Sequence, residues 1–403
     1  MKSKSFLKVI LLLGFIMAYV VPNNALANDI NILVSGNNTF ALDLYRKLSE
    51  EKGNLFFSPY SISSALAMTY AGARKETAKQ MASTLHFTLS QKRLHPAFYN
   101  LSKLLQPNNK DYQLSIANAL WGQKGYTFLQ NFLDITNRYY EAGFKEVDYI
   151  NDIAREQTRQ TINSWVENKT NGKIKNLISP RDLTSLTRLV LTNAIYFKGK
   201  WEFQFKPEDT KTMPFYITEK DTVDTPMMYQ RAEFKYTEDN DVQVLELPYT
   251  GGDISMVIIL PKTEVLLSNV EKELSMERLN SWLSKLSKQE VDVYIPRFKL
   301  EKRFILNEPL QKLGMIDAFD EERANFSGIT VQSKLYITSV IHQAFVEVNE
   351  EGTEAAAATA VIMGTKAVIS RPVFQANRPF IFFIRDLRSG SILFIGRLVT
   401  PEK

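Results

Sequence analysis

The chain has 403 residues, a hydrophobic fraction of 44%, a formal net charge of +5 and no cysteine. Without cysteine it can form neither a disulfide bond nor a cysteine-ligated metal site, and its nearly balanced charge does not favour nucleic-acid binding. This length usually indicates two or three domains. No Pro/Gly/Ser linker, repeat or low-complexity tract divides the chain, so we predict one large domain supported by its core alone.

Residues 1–27 have the pattern of a secretory signal peptide. Three lysines precede an apolar run from Val9 to Val21, and Ala25-Leu26-Ala27 matches an A-x-A cleavage site. The run is too short to predict a membrane-spanning helix, and no other stretch is long and apolar enough. The pattern therefore predicts a secreted, extracellular protein with a mature domain over 28–403 and no membrane partner.

The next two segments are predicted to form helices. Phe40, Leu44 and Leu48 recur at helical spacing, which indicates an amphipathic helix over 39–48. Ser58 is a candidate N-cap, and Pro59 follows it at a position where helices tolerate proline. We therefore expect a second helix to begin at Pro59.

Later stretches are mainly strand-like. The nearly continuous apolar run from Leu189 to Trp201 indicates a central strand that is buried on both faces. A helix is predicted to end near Asn171-Gly172, and another to run from Leu310 to Met315. Further strands are predicted over 242–247, 254–260, 291–295, 379–385 and 391–397, with the last two forming a hairpin across Ser389-Gly390.

Residues 350–360 do not match the strand pattern that precedes them. Their four consecutive alanines favour a short exposed helix or a linker. At a period of two, however, Thr353, Ala355, Ala357 and Thr359 share one face, and side chains this small could enter a finished sheet without overpacking it. Gly352 supplies the backbone freedom that a hinge needs. The residues alone leave both interpretations open.

Several of these stretches together resemble the serpin family. Residues 348–357 resemble the hinge of the serpin reactive-centre loop, 54–68 with Gly72-Ala73 resemble an early serpin signature, and 379–397 resemble the family's ending. Lys75 stands where the family usually has a second glycine. The resemblance extends from about Asn38 to Pro401. It implies an α+β fold with a single large domain, three β-sheets, about nine helices and an exposed reactive-centre loop at about 350–372.

The resemblance also implies roles for particular residues. Ser58, Ser61, Asn193 and His342 would form a polar cluster under the centre of the main sheet, and Trp201 would pack where the loop enters. Without the resemblance, His342 is most simply interpreted as a hydrogen-bonded core histidine. The hinge would comprise Glu350, Glu351, Gly352, Thr353, Glu354, Ala355, Ala356, Ala357 and Ala358.

The family spacing between hinge and cleaved bond places that bond at Lys366–Ala367, with an uncertainty of one or two residues. A lysine before the bond implies a trypsin-like serine protease as covalent partner. Cleavage would let Gly352 to about Met363 enter the main sheet and trap the acyl-enzyme. Outside the resemblance, Lys366 is one surface lysine among many.

The sequence gives little support for an enzyme. It contains three histidines and lacks the G-x-S-x-G, H-E-x-x-H, Walker A and G-x-G-x-x-G motifs. A Ser-His-Asp site is recognised only in space, so its absence does not follow from sequence. We expect no enzymatic activity, no cofactor and no metal.

Other functions remain open at this stage. The same fold could serve a non-inhibitory carrier or chaperone, or a cross-class inhibitor of a cysteine protease. Lys92, Arg93 and Lys103 hint weakly at a glycosaminoglycan partner, although an ordinary solvated face explains them as well. Asn37, Asn100 and Asn168 are possible glycosylation sites, and Asn325 is a less plausible one. We expect a monomer.

Overall fold

The computed structural model describes residues 22–106, 112–140, 144–332, 335–353 and 371–401. Within these ranges, none of the helices is both long and apolar enough to cross a lipid bilayer. The helices are α1 (Pro22–Leu48), α2 (Pro59–Tyr70), α3 (Lys75–Thr84), α4 (Gln91–Leu105), α5 (Gln130–Tyr140), α6 (Asp152–Lys169), α7 (Leu267–Glu273), α8 (Met276–Lys285) and α9 (Asn307–Lys312).

Helix α2 begins at the predicted residue, whereas helix α1 begins well before the predicted segment. Helix α2 begins where its cap was predicted, since the Ser58 hydroxyl oxygen accepts a hydrogen bond from the Ser61 amide at 3.2 Å. Helix α1 is much longer than the predicted segment over 39–48. Leu33 and Val34 in its first half are buried, so tertiary packing extends the helix beyond the periodic segment.

One sheet, which we call the main sheet, has six strands in the order β10-β11-β12-β4-β2-β3. Strand β11 lies between β10 and β4, and β12 is a two-residue strand between β11 and β4 at one end. The strands are β2 (Tyr112–Gln123), β3 (Phe144–Val147), β4 (Leu189–Lys200), β10 (Phe298–Ile305), β11 (Ser339–Asn349) and β12 (Gly352–Thr353).

The second sheet has nine strands in the order β1-β15-β14-β8-β7-β6-β9-β13, with β5 also paired to β6. It contains the predicted C-terminal hairpin as β14 and β15. Its strands are β1 (Leu55–Phe57), β5 (Lys211–Tyr216), β6 (Thr222–Glu238), β7 (Val242–Pro248), β8 (Ile254–Pro261), β9 (Ser287–Pro296), β13 (Val373–Gln375), β14 (Phe380–Asp386) and β15 (Ile392–Leu398).

The resemblance implied three β-sheets, but the described strands form two connected sheets because β6 joins two sets of strands. It pairs with β9 from Met227 to Tyr236 and with β7 from Lys235 to Glu238. The strand set β5, β6, β9 and β13 therefore forms a small third unit that is continuous with the second sheet. The predicted single α+β domain is confirmed, with nine α-helices in the described ranges.

The main sheet separates two hydrophobic cores. On one face, Leu189, Leu191 and Ile195 of β4 belong to the large core that includes helices α1 and α2. On the other face, Val190 and Ala194 of the same strand belong to a smaller core beneath helix α6. Alternate residues of β4 therefore face different cores, which explains the strand's continuous hydrophobicity.

Lys75 adopts a backbone conformation that favours glycine. Its φ angle is +52°, in the left-handed region, at the start of helix α3. A side chain costs roughly 1–2 kcal/mol in this region. We expect Lys75→Gly to raise the free energy of unfolding by about 1 kcal/mol in a urea titration. The matched variant Lys79→Gly, inside the same helix, should lower it by about 1 kcal/mol. A less stable Lys75→Gly protein would contradict the strain at this position.

One predicted glycosylation site is enclosed by the fold. The Asn37 side chain is 1% exposed, and its Oδ1 accepts a hydrogen bond from the Ser63 hydroxyl at 2.7 Å. A glycan on this enclosed amide would have to displace the surrounding packing, so the fold disfavours glycosylation at Asn37. Asn168 is exposed and Asn100 is half-buried.

Candidate functional site

The segment around the predicted hinge is built into one end of the main sheet. Gly352 and Thr353 form β12, which pairs antiparallel with β11 on one side and with β4 on the other. Farther along, β11 and β4 pair directly with each other from Ser339 to Phe345. The main sheet is therefore closed along most of this seam and opened at one end by two hinge residues.

Gly352 occupies a position that no other residue could take. Its φ angle is +150°, and a Cβ there would lie 2.1 Å from the carbonyl oxygen of Gly199 and 2.7 Å from the Cα of Lys200. The hinge backbone thus approaches β4 too closely for a side chain. This contact explains in physical terms why a glycine begins the inserted segment.

Thr353 is fully enclosed at the head of the seam. Its side chain is 0% exposed, and its Oγ1 lies 2.8 Å from the Tyr249 Oη. Tyr249 stacks on the Trp201 ring, with ring centroids 4.5 Å apart, and burial raises the pKa of Tyr249 well above its usual range. A small hydroxyl residue fits this aromatic site.

Backbone hydrogen bonds fix the turn between β11 and β12. The Trp201 amide donates to the Glu351 carbonyl at 2.8 Å, and its indole Nε1–H donates to the Asn349 carbonyl at 3.0 Å. The Phe205 amide donates to the Glu350 carbonyl at 2.8 Å. Trp201 thus lies where the predicted loop enters the sheet, and contacts the turn through both main-chain and side-chain atoms.

Glu350 is a buried carboxylate with two partners. It is 5% exposed, the Arg297 Nε donates to its two oxygens at 2.6 and 2.8 Å, and the Thr210 hydroxyl donates to Oε1 at 2.5 Å. Burial raises the pKa of Glu350, but hydrogen bonds from Arg297 and Thr210 more than offset that effect and leave its pKa below the usual range. The carboxylate therefore stays ionised and ties the hinge to the β9–β10 junction.

The four residues predicted for the polar cluster are brought together beneath the closed part of the seam. The Ser58 amide donates to His342 Nε2 at 3.1 Å, and the Ser58 hydroxyl donates to the Leu393 carbonyl at 2.6 Å. His342 Nδ1 is hydrogen-bonded to Asn193 Oδ1, and Asn193 Nδ2 donates to the Ser61 hydroxyl at 2.5 Å. The chain of contacts links helix α2 to β4 and β11.

Asn118 is a further member of this cluster that the sequence did not reveal. Its Oδ1 accepts hydrogen bonds from the Ser61 hydroxyl at 3.2 Å and from Asn193 Nδ2. Asn118 is paired with Asn193 across β2 and β4, and Asn193 is paired with His342 across β4 and β11. A polar residue inside an apolar strand was the available signal, but strand β2 itself was not predicted.

The hydrogen-bond pattern fixes the protonation of His342. Because Nε2 accepts from the Ser58 amide, Nε2 carries no proton and Nδ1–H donates to Asn193. Burial lowers the pKa of His342 to about 3. The unfolded histidine titrates near its ordinary value of 6.5, so the folded protein excludes a proton that the unfolded chain binds.

This difference predicts acid destabilisation. The stabilisation is fully present above about pH 6.5 and is lost as the pH falls toward 3, at up to about 1.4 kcal/mol per pH unit. Between pH 7.5 and 5.0 we expect His342 to account for a loss of about 2 kcal/mol, measured by urea unfolding at each pH. His342→Gln should reduce this loss by the same amount. Equal losses in both proteins would contradict the assignment.

Part of the predicted site lies outside the described residues. The hinge residues Glu354 to Ala358 and the predicted bond Lys366–Ala367 fall between Thr353 and Arg371, where nothing is described. Arg371, at the far side, forms an ion pair with Glu290. The described residues therefore include the start of the predicted loop, where it enters the main sheet, but not the predicted cleaved bond.

The other predicted partners gain no support from the described residues. Arg93 pairs with Asp29, and the Lys103 Nζ lies 5.3 Å from the centre of the Tyr99 ring. Neither contact tests glycosaminoglycan binding, which stays a prediction. In the parts of the chain that are described, no group of three His, Asp or Glu side chains could hold a metal ion.

Comparisons with known proteins agree with this architecture. A family model described as "Serpin (serine protease inhibitor)" matches residues 35–401. Leukocyte elastase inhibitor of Homo sapiens is 44% identical over 379 residues, which cover 92% of this chain and 99% of the relative. Serpin B6 of Pongo abelii is 42% identical over 378 residues, covering 92% and 100%. The solved structure of human thyroxine-binding globulin has a TM-score of 0.85 and 33% identity, covering 93% and 100%.

These relatives overturn the prediction of a secreted, extracellular protein. Leukocyte elastase inhibitor and serpin B6 are intracellular serpins without signal peptides. In the structure, the A-x-A pattern at 25–27 lies inside helix α1, which continues to Leu48. The prediction of secretion is therefore wrong, and the glycosylation sites lose the premise on which they rested.

Proposed function

The chain belongs to the serpin family of serine protease inhibitors, and from that premise we propose that it is a suicide-substrate inhibitor of trypsin-like proteases. The observation that carries this proposal is the seating of Gly352 and Thr353 between β11 and β4. Two small residues already occupy the head of the seam, and after Glu354 the segment continues with four alanines as far as Ala358. The reactive-centre loop is proposed to span about 350–372.

The proposed reaction begins as ordinary proteolysis. The protease serine hydroxyl attacks the Lys366 carbonyl, the bond to Ala367 breaks, and the new Ala367 amine leaves with a proton. Lys366 remains joined to the serine as an ester. Cutting the loop frees its N-terminal part, which stays attached to β11 through the turn at Glu350.

The released segment then enters the main sheet. Residues Gly352 to about Met363 would extend β12 and separate the directly paired parts of β11 and β4. Each strand-to-strand hydrogen bond contributes roughly 0.5–1.5 kcal/mol, and a central strand bonds on both sides. The protease is carried along with Lys366, and hydrolysis of the ester is prevented when its active site is deformed.

Lysine before the cleaved bond argues for a trypsin-like target. A lysine side chain fits a pocket with a buried carboxylate, as in trypsin, and the wrong side chain would leave that charge unpaired. The human relative is named for inhibition of leukocyte elastase. The difference in target is proposed to come from the loop, because inhibitor and protease meet there.

The size of the hinge residues argues against a carrier function. One solved relative is a thyroxine-binding globulin, and its title describes a complex with the hormone. In this chain, Thr353 is fully buried, and Ala355 to Ala358 are small enough to enter the sheet. A protein that never inserts its loop has no need of such residues.

The decisive test is a reaction with trypsin, followed by denaturing gel electrophoresis and mass spectrometry. We expect a band at the summed mass and a released peptide that begins at Ala367. Leukocyte elastase, used in parallel, should form less of this band. Clean cleavage at Lys366 with fully active trypsin would indicate a non-inhibitory serpin. Trapping of a cysteine protease but not of trypsin would indicate cross-class inhibition.

A further inference from the structure

One polar contact crosses the seam that the loop is proposed to enter. Asn193 of β4 lies directly opposite His342 of β11, and Asn193 Oδ1 is hydrogen-bonded to His342 Nδ1. Both side chains are fully buried, and we call this pair the polar rung. On the same face of the sheet the neighbouring pairs are apolar, and they are Ile195 with Ala344 and Leu191 with Val340.

A strand that enters the seam must break the hydrogen bond of the polar rung. Adjacent strands lie about 4.8 Å apart, so a strand between β4 and β11 moves these two to about 9.6 Å from each other. At that separation Asn193 Oδ1 and His342 Nδ1–H can no longer meet. Two buried polar atoms without partners would disfavour the open sheet, unless the incoming strand supplies new partners.

The pairing of β12 fixes which loop residue would arrive at the polar rung. Gly352 lies opposite Lys200 of β4 and opposite Asn349 of β11, and both pairings are antiparallel. Each step forward along the loop is therefore one step back along both strands. Seven steps lead from 352 to 359, from 200 to 193 and from 349 to 342. Thr359 lies outside the described residues, and continuing this register places it between the two members of the polar rung.

Strands β4 and β11 need no shift along each other to accept this segment. The two residues that flank Gly352 at the head of the seam are 149 positions apart in the sequence, as are Asn193 and His342. A loop strand can therefore separate β4 and β11 sideways and keep one register with both.

The face of the segment agrees with this register. Thr353 points into the large core, because its Oγ1 lies 2.8 Å from the Oη of Tyr249. Side chains alternate along a strand, so Thr359 would share this face, which is also the face of the polar rung. The other residues between 354 and 362 that would share it are apolar, and they are Ala355, Ala357 and Val361. The one hydroxyl on this part of the segment thus coincides with the polar rung.

A threonine hydroxyl can satisfy both atoms that insertion separates. His342 Nδ1–H is a donor and needs an acceptor, whereas Asn193 Oδ1 is an acceptor and needs a donor. The Thr359 oxygen would accept from His342, and its O–H would donate to Asn193. These two bonds would replace the single bond of the closed sheet and continue the hydrogen-bond chain across three strands.

We propose that Thr359 is a positioning residue for loop insertion, whose hydroxyl replaces the Asn193–His342 hydrogen bond when the sheet opens. The inference rests on the proposed insertion of the loop and deepens it. It explains how the buried polar rung can part without leaving its members unpaired. It also gives the inserted strand a preferred register, because a shift by two residues would place an apolar side chain at the polar rung.

The inference can be tested without a protease, by adding synthetic peptides with the sequence of residues 354–363 to the full chain. Uptake is followed by native gel electrophoresis and by the gain in thermal stability. The Thr359→Val peptide should enter at least about ten-fold more slowly than the original peptide, because valine has a similar shape and strand preference but no hydroxyl. Thr359→Ser should restore uptake to within about three-fold. Equal uptake of the original and valine peptides, or no uptake of the original peptide, would overturn the proposal.

A doubly substituted peptide tests the register. Ala357 would lie between Ile195 and Ala344, which form an apolar pair. A peptide with Ala357→Ser and Thr359→Val moves the hydroxyl from the polar rung to this pair, and it should enter no faster than the valine peptide. If it enters as fast as the original peptide, the position of the hydroxyl does not matter and the assigned register is wrong.

The imidazole of His342 supplies a readout that packing alone would not change. The Nδ1 proton can be followed by NMR in protein with ¹⁵N-labelled histidine, and its signal is assigned by its absence in His342→Gln. After uptake of the original peptide, this proton should keep the downfield position of a hydrogen-bonded N–H. After uptake of the valine peptide it should move upfield, because it then has no acceptor. The same position with both peptides would contradict a hydrogen bond to Thr359.

The reaction with trypsin tests the same residue in the whole chain. Thr359→Val should reduce the yield of covalent complex at least about three-fold while the rate of loop cleavage stays unchanged, and Thr359→Ser should restore the yield. If the original protein is cleaved without trapping trypsin, the proposed function fails, and the peptide assay still decides the role of Thr359. If the original protein and Thr359→Val trap trypsin equally well, the role of Thr359 alone is wrong.

Discussion

Under the proposed mechanism, replacement of Thr353 by arginine is expected to turn the protein from an inhibitor of trypsin into a substrate. Thr353 is 0% exposed and hydrogen-bonded to Tyr249 at 2.8 Å. Burying an unpaired guanidinium there costs several kcal/mol, whereas a ten-fold change in partition between insertion and hydrolysis requires only about 1.4 kcal/mol. We therefore expect the trapped fraction of trypsin to fall at least about ten-fold. The measurement is the yield of covalent complex on a denaturing gel.

Two controls separate charge from other effects of the substitution. Thr353→Ser keeps a small hydroxyl group beside Tyr249, so its yield of covalent complex should remain close to that of the original protein. The rate of loop cleavage by trypsin should be the same for all three proteins, because Thr353 lies far along the chain from Lys366. If Thr353→Arg traps trypsin undiminished, the insertion mechanism is wrong.

The second large effect is expected from Lys366→Phe. A phenylalanine cannot pair with the buried carboxylate of a trypsin-like pocket, and a site left with an unpaired polar group can reject a substrate by about 10⁴-fold or more. We expect the rate of trypsin inhibition to fall by at least about 1,000-fold, measured by progress curves with a chromogenic substrate. Chymotrypsin, which has a hydrophobic pocket, should be trapped by this variant instead.

Arg371 provides the matched control for this prediction. Lys366 and Arg371 are the two basic residues between positions 350 and 372. Arg371 is ion-paired with Glu290 and is followed by Pro372, which makes it a poor candidate for the cleaved bond. Arg371→Phe should leave trypsin inhibition within about two-fold of the original, as is usual for a surface substitution. Loss of trypsin inhibition in this variant alone would move the reactive bond to Arg371.

Local sequence patterns correctly predicted those elements whose formation depends on residues close to one another in the chain. The cap at Ser58, the buried strand that begins at Leu189 and the hairpin across Ser389-Gly390 were predicted and are present. Each has its cause within a few residues, in a side-chain cap, a continuous apolar run or a tight turn. The family resemblance added residues that are distant in sequence and brought Ser58, Ser61, Asn193 and His342 into one cluster.

Other elements were missed or misjudged because their causes lie elsewhere in the chain. Strand β2 has polar residues among its apolar ones, and it forms because β4 pairs with it along eleven residues. Without β2, the contribution of Asn118 to the polar cluster could not be inferred. Helix α1 begins at Pro22, although the periodic pattern predicted a helix only from residue 39, and the buried side chains of Leu33 and Val34 stabilise its earlier turns.

The sequence by itself determined the family, the strand and helix signals and the small side chains of the hinge. Only the tertiary structure decided that Gly352 and Thr353 already lie between β11 and β4, that Glu350 is held by Arg297 and Thr210, and that one register joins β12 to both neighbouring strands. Propensity and periodicity act over a few residues, whereas these features depend on contacts between segments tens to hundreds of residues apart. Such contacts are fixed by the packing of the whole domain.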